Sequence, residues 1–206
     1  MGALSPPSAL DRLLALARTL SRVGVWVGGA LTLASVALIT FEVLARRFFG
    51  FTMGGADELS GYAFAISVTW ALAFTALERA NVRIDVLYQY LPVRLSAAFD
   101  WIALVALGVF AVYLSYYGGQ VALTSWDMQS AANTPLGTPL WIPQTLWFIG
   151  LAWFVVVLAL MLLRASTALV TGDMATLKAL AGVKSSVEEA EEGAAEGERL
   201  VRGESA

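Results

Sequence analysis

Four long apolar stretches, each free of charge in its middle, constrain this chain more than any other feature. They run from Val23 to Phe41, from Leu59 to Leu77, over 101–123 within the segment Trp101 to Trp126, and from about Leu140 to Leu163. About 20 apolar residues suffice to cross roughly 30 Å of hydrocarbon as a helix. Charges sit at the borders: Arg22 and Glu42, Glu58 and Glu78, Asp100 and Asp127, and Arg164. Pro139 and Pro143 fall where the fourth helix begins, the position at which a missing N–H costs least. Composition points the same way. Apolar residues make up 58% of the 206 and charged ones 14%, against about 45–50% and 25% in a soluble domain. Such an excess fits a bilayer better than one small aqueous core.

The segment before the first span predicts a further element. Ser8 and Asp11 resemble a capping box. Leu10, Leu13, Leu14, Ala17 and Leu20 recur at helical spacing among Arg12, Arg18 and Arg22. The expectation is an N-terminal amphipathic segment over residues 1–22, with Pro6 and Pro7 outside a short helix that lies in the headgroup region and leads into the first span. A cleaved signal peptide is the rival, but its apolar core would exceed the usual 7–15 residues and no small-residue cleavage site follows.

Basic residues orient the spans. Arg12, Arg18, Arg22, Arg79, Arg83, Arg94, Arg164, Lys178 and Lys184 share one side; only Arg46 and Arg47 lie on the other. This bias predicts both termini in the cytoplasm. The fold expected is an all-α membrane protein: a four-span bundle over 23–164, an amphipathic N-terminal helix, a short cytoplasmic segment over 165–184, and an acidic tail over 185–206 that is disordered or at most a frayed helix. The tail carries seven glutamates and two arginines from Glu188 to Glu204 and too little apolar surface to fold. The loop from Thr124 to Thr138 has no basic residue and contains Asn133, Pro135 and Gly137, which suits an outward connection.

Several function classes fall away. With no cysteine and no histidine, disulfides, thiol nucleophiles, Cys/His zinc sites and His-ligated haem are excluded. No phosphate-binding loop, nucleophile elbow or metal-ligand cluster is present, so no enzyme activity and no cofactor are expected. No basic stripe interleaved with aromatics suggests a nucleic-acid partner. Ionisable groups at membrane depth mark transport sites, and the span interiors have none. Mid-span Gly/Pro breaks of the kind that bind ions are missing as well. The chain is not expected to bind substrate or coupling ion by itself.

Small residues are prominent instead. Gly24 and Gly28, continued by Thr32, lie on the first span; Ala63, Ser67, Ala71 and Thr75 are spaced by four on the second; Ala111, Ser115 and Gly119 repeat that spacing on the third. Such positions let helix backbones approach, within this chain or against another membrane protein. The fourth span, bulky on all sides with Phe148, Trp153 and Phe154, is expected to face lipid or a groove on a partner. Two loops add charge. One runs from Arg46 through Phe48, Phe49 and Phe51 to Asp57 and Glu58. The other reads Glu78-Arg79-Ala80-Asn81-Val82-Arg83-Ile84-Asp85, with Leu91-Pro92 beyond. Snorkelling, helix-dipole complementation and binding of anionic lipid account for either loop without a protein partner.

Together these residues resemble the small membrane subunit (DctQ-like) of tripartite ATP-independent periplasmic, or TRAP, transporters. In that family the first outward loop begins with arginine and aromatics and ends in Trp-x-Glu-Glu. Arg46, Phe49 and Phe51 match, Asp57-Glu58 stands for the acidic pair, and Gly55 replaces the tryptophan. The family's inner loop reads His-hydrophobic-Arg-hydrophobic-Asp before Leu-Pro. Asn81-Val82-Arg83-Ile84-Asp85 and Leu91-Pro92 match with Asn81 in place of histidine, and Ile142-Pro143 opens the last span as in the family. The resemblance covers about residues 20–165. It implies a non-catalytic small permease subunit of a sodium-coupled, binding-protein-dependent secondary transporter for organic anions such as carboxylates. The implied partners are a large membrane subunit (DctM-like), which this chain docks onto and orients, a periplasmic substrate-binding protein (DctP-like) acting through the assembled complex, and membrane lipids. The setting implied is the bacterial inner membrane. Interface candidates are Arg46, Asp57, Glu58, Asn81, Arg83 and Asp85. The alternatives are the small subunit of a tripartite tricarboxylate transporter, which the loop motifs disfavour, and a membrane assembly or scaffold protein without a transport role.

Overall fold

The computed structural model describes residues 9–79 and 92–173, with short pieces at 176–177, 180, 193–195, 197–198 and 202. Within them lie four long helices: α1 (Ala9–Phe49), α2 (Ala56–Leu77), α3 (Val93–Asp127) and α4 (Trp141–Thr171). All four are long and apolar enough to cross a membrane. Lipid offers backbone groups no hydrogen bond, so an apolar stretch there must satisfy its own amides, and the helix does so within one segment. Gly172, at φ 73°, ends α4 in the left-handed conformation, and Asp173 N–H donates to Ala168 O at 2.9 Å. That is a Schellman-type stop.

The helices form a row rather than a closed square. α2 packs between α1 and α4, α3 packs on the far side of α4, and α1 touches α4 more lightly. α4 is therefore an inner helix, contrary to the expectation that its bulk faces lipid or a partner. Its residues Gly150, Leu151, Phe154, Val157, Leu158, Met161, Ala165 and Ala168 are all buried. They recur at three and four and form one stripe. The opposite stripe, including Val156 and Leu163, is exposed. α1 is the exposed helix. Its buried residues are Ala17, Ser21, Gly24, Gly28 and Ala45, all small.

α1 also contains the described part of the expected N-terminal helix. Among the described residues the expected N-terminal segment and the first span form one unbroken helix of 41 residues from Ala9, roughly 60 Å at 1.5 Å per residue. Two ion pairs fasten its first turns to the neighbouring helices. Arg18 Nε lies 3.2 Å from Glu78 Oε1 just past α2, and Arg164 Nε on α4 lies 2.7 Å from Asp11 Oδ1. Trp153 Nε1 donates to Ser21 Oγ at 3.0 Å. The N-terminal turns of α1 thus join the end of the row where α2 and α4 finish. Of the tail over 185–206, only 193–195, 197–198 and 202 are described; the first two pieces are helical and Arg202 N–H donates to Glu198 O at 3.0 Å.

Candidate functional site where two loops meet

A second group of polar features gathers at the opposite end, where the α1–α2 and α3–α4 loops meet. α1 closes with Arg46 and Arg47 in its last turn, and α2 opens with Asp57 and Glu58 in its first. Both placements complement the helix dipoles. The Met53 N–H donates to Glu42 Oε2 at 2.8 Å and folds the first loop back over α1.

The second loop is a small hairpin. Ala131 and Pro139 form an antiparallel bridge. Ala132 N–H donates to Thr138 O, and Leu140 N–H to Ser130 O, both at 2.9 Å. Its tip is the turn Thr134-Pro135-Leu136-Gly137, closed by Gly137 N–H to Thr134 O at 3.0 Å. Proline presets the second position of such a turn. Gly137 adopts φ 59°, which glycine takes without strain.

This tip seats on the first loop. A Cβ at Gly55 would lie 1.5 Å from Leu136 Cδ1, and one at Gly54 would lie 3.2 Å from Pro135 Cγ. The Leu136 side chain occupies the space that a side chain at position 55 would need. The Thr134 hydroxyl donates to Glu58 Oε2, and Tyr62 donates its hydroxyl to Glu58 Oε1 at 2.9 Å. Glu58 stands just outside the apolar stretch 59–77. The hydroxyl of Thr134, then that of Thr138, holds its carboxyl below the usual carboxylate range, because hydrogen bonds to the charged form favour ionisation.

A cleft of about 380 Å³ opens beside this contact, lined by Glu42, Arg46, Asp57, Glu58 and Thr134 among others. Arg46 and Asp57 are exposed and form no ion pair among the described residues. No group of three or more acidic side chains is placed to hold a metal ion among the described residues. The arrangement can lock two loops together and present charges of both signs to a partner.

The structure thus brings Arg46, Asp57 and Glu58 around one cleft. Asn81, Arg83 and Asp85 lie outside the described residues. Among the packing candidates, Gly28 meets α2 directly: a Cβ there would lie 3.2 Å from Ser67 Cα. Ser67 Oγ donates to Gly28 O at 2.9 Å and to Ala63 O at 2.6 Å. Gly24 faces the Trp70 ring, 3.3 Å from where its Cβ would be. Ala71 O accepts from Thr75 Oγ1 at 3.0 Å, and both residues are half-buried. On α3, Ala111 and Ser115 are buried, and a Cβ on Gly119 would touch Phe148 at 3.0 Å. Sequence reasoning missed Glu42, Thr134, Leu136 and Thr138. The Thr-Pro-Leu-Gly turn was the available signal, but turn chemistry does not say which surface the turn covers.

No curated protein and no solved structure matched the chain. A protein-family model did match, described as the DctQ component of tripartite ATP-independent periplasmic transporters, over residues 35–168. That range is well over half of the chain, and it includes both loops of the cleft and the whole of α2 and α3. The chain, a multi-pass helical membrane protein with its charges gathered at the helix ends, belongs to the DctQ family and is the small permease component of a TRAP transporter.

Proposed function

We propose that this chain docks onto and orients a large permease subunit (DctM-like) in the bacterial inner membrane, with both termini cytoplasmic. The assembled transporter couples sodium entry to uptake of an organic anion such as a carboxylate, delivered by a periplasmic binding protein (DctP-like). The observation that carries this reading is the distribution of charge. Charged side chains sit at both ends of the row and none lies within the four apolar stretches, so the lipid-embedded part offers packing surfaces and no ion site. On the nine-to-two basic bias, the Glu58 cleft faces the periplasm, where Arg46 and Asp57 are available to protein partners. Arg83 and Asp85, on the inner loop, supply charge to the same partner from the cytoplasmic side.

Co-purification tests the reading. The tagged chain, expressed with its permease and extracted in mild detergent, is expected to retain the permease in a fixed ratio. Glu58→Ala is expected to lower the retained permease several-fold while the chain itself still accumulates in the membrane. A permease that never co-elutes with the intact chain overturns the docking role.

A further inference from the structure

α3 ends the row, and its half nearer the hairpin carries Tyr113, Tyr116, Tyr117 and Gln120. These positions recur at three and four, so they share one side of the helix. All four side chains are exposed. Tyr113 lies midway between Asp100 and Asp127, the charges that border the span, roughly 20 Å from either at 1.5 Å per residue. Gln120 lies about 10 Å below Asp127 by the same measure. The stripe therefore sits within the hydrocarbon, which is about 30 Å thick.

These groups are short of partners. The Tyr113 and Tyr117 rings lie 4.6 Å apart, and Tyr116 meets Tyr117 edge-on at 5.2 Å. A bond between the Tyr113 and Tyr117 hydroxyls uses one proton and leaves the other, because one of the pair must accept. Among the described residues, the Tyr116 hydroxyl and the Gln120 amide have no hydrogen-bond partner. α1 provides the contrast. Thr19, Thr32, Ser35 and Thr40 each donate to the carbonyl four residues earlier, so its exposed face can lie in lipid with those hydroxyls satisfied.

The surroundings available at this depth narrow the choice of partner. The bilayer core holds no water to bond these groups. An acyl chain offers neither donor nor acceptor and leaves each group at the full cost of an unpaired polar atom. A headgroup is too far from Tyr113. Side chains of another membrane helix supply both donors and acceptors. A groove of about 410 Å³ runs beside the stripe, with Tyr116, Gly119 and Gln120 on its α3 wall and Phe148, Ala152 and Val155 on its α4 wall. It admits side chains from a helix laid along this edge.

We infer that the face of α3 bearing Tyr113, Tyr116, Tyr117 and Gln120 docks onto a membrane helix of the large permease subunit whose polar side chains bond to these hydroxyls and this amide. This rests on the docking role proposed above and names the surface that performs it. Interhelical hydrogen bonds of this kind fix register where lipid supplies no hydrophobic drive. The apolar face of α1 is left to lipid.

Two measurements on the full complex test the inference. In the first, a photo-crosslinking aromatic amino acid replaces Tyr117, with a control at Leu33, an exposed position on α1. Illumination of membranes is expected to give an adduct of chain plus permease from position 117 and none from 33. In the second, permease retained by the tagged chain is compared for the unaltered chain and for the triple variant Tyr116→Phe, Tyr117→Phe, Gln120→Leu. The substitutions keep the rings and the bulk and remove the hydrogen-bonding groups. The triple variant is expected to lower apparent affinity about tenfold, the change two interhelical hydrogen bonds support. Alone in detergent it is expected to unfold no earlier than the unaltered chain, which separates lost docking from misfolding. Adducts with lipid only, adducts with a second copy only, or no adduct from position 117 overturn this surface. Equal retention by the two proteins also overturns it and leaves the docking role standing. Failure of the unaltered chain to retain permease overturns both.

Discussion

Gly150→Leu is expected to prise α2 off α4 and to cost about 3 kcal/mol or more, the upper range for inserting bulk into a packed contact. A Cβ at Gly150 would stand 2.6 Å from Thr69 Oγ1, 2.9 Å from Thr69 Cβ and 2.8 Å from Trp70 Cδ1. Neither neighbour can swing aside freely. Thr69 is buried, and its hydroxyl is bonded back to Ala65 O and Ile66 O. Trp70 Nε1 donates to Leu146 O at 3.2 Å, one turn from Gly150. Relief requires the helices to separate, and separation breaks that bond. Gly29 and Gly61 serve as internal controls, because a Cβ at either meets nothing within 4 Å. Leucine at those positions is expected to be neutral or mildly stabilising, since glycine disfavours helix by about 1 kcal/mol relative to the best residues. Unfolding in mild detergent titrated with a denaturing one, followed by tryptophan fluorescence, ranks the three variants. Equal midpoints for Gly150→Leu and Gly61→Leu would refute the close crossing of α2 and α4.

Gly55→Trp is expected to displace the α3–α4 hairpin. The indole would claim the space held by Leu136. Leu136 sits at the tip of an exposed turn and can leave, but Thr134 is two residues away and moves with it. Glu58 then loses the Thr134 hydroxyl, the first of the hydrogen bonds that hold its carboxyl below the usual carboxylate range. The hairpin is expected to loosen on the first loop, because one hydrogen bond to Glu58 and the contacts of one leucine are lost together. Leu136→Gly in the same chain should restore much of the docking by making room for the ring. The coupling between the two substitutions, about 1–2 kcal/mol, is the measured quantity. Amide exchange of the hairpin in detergent reports it. Additive effects would show that Leu136 and position 55 do not share one space.

Much of this architecture was legible because lipid leaves the backbone few choices. The four charge-free stretches from 23 to 163 could only be helices, and each lies within one, apart from Leu140 at the start of α4. The order of the helices was hidden. In a bilayer a leucine facing lipid and a leucine facing protein are chemically alike, so α4, apolar on all sides, gave no sign of its inner position. Gly150 has no small residue four positions away on either side, with Leu146 and Phe154 there instead, and no spacing rule selects it. Asp11 and Arg164 are 153 positions apart; each reads as a cap or a topology signal until the fold joins them. The same limit hid the cleft. Arg46, Asp57 and Glu58 stand out as charges between two spans, whereas Thr134 and Leu136 look like turn residues. Gly55 reads as a lost tryptophan in sequence, and in the structure its space is filled from the other loop.

The proposed role of this chain as an obligate accessory subunit is tested most directly by reconstituted uptake. Liposomes carrying the permease alone, this chain alone, or both are given the periplasmic binding protein, a labelled organic anion and an inward sodium gradient. Uptake above background is expected only where permease and chain are both present. Full-rate uptake by the permease without this chain, or sodium-driven uptake by this chain alone, would contradict that role.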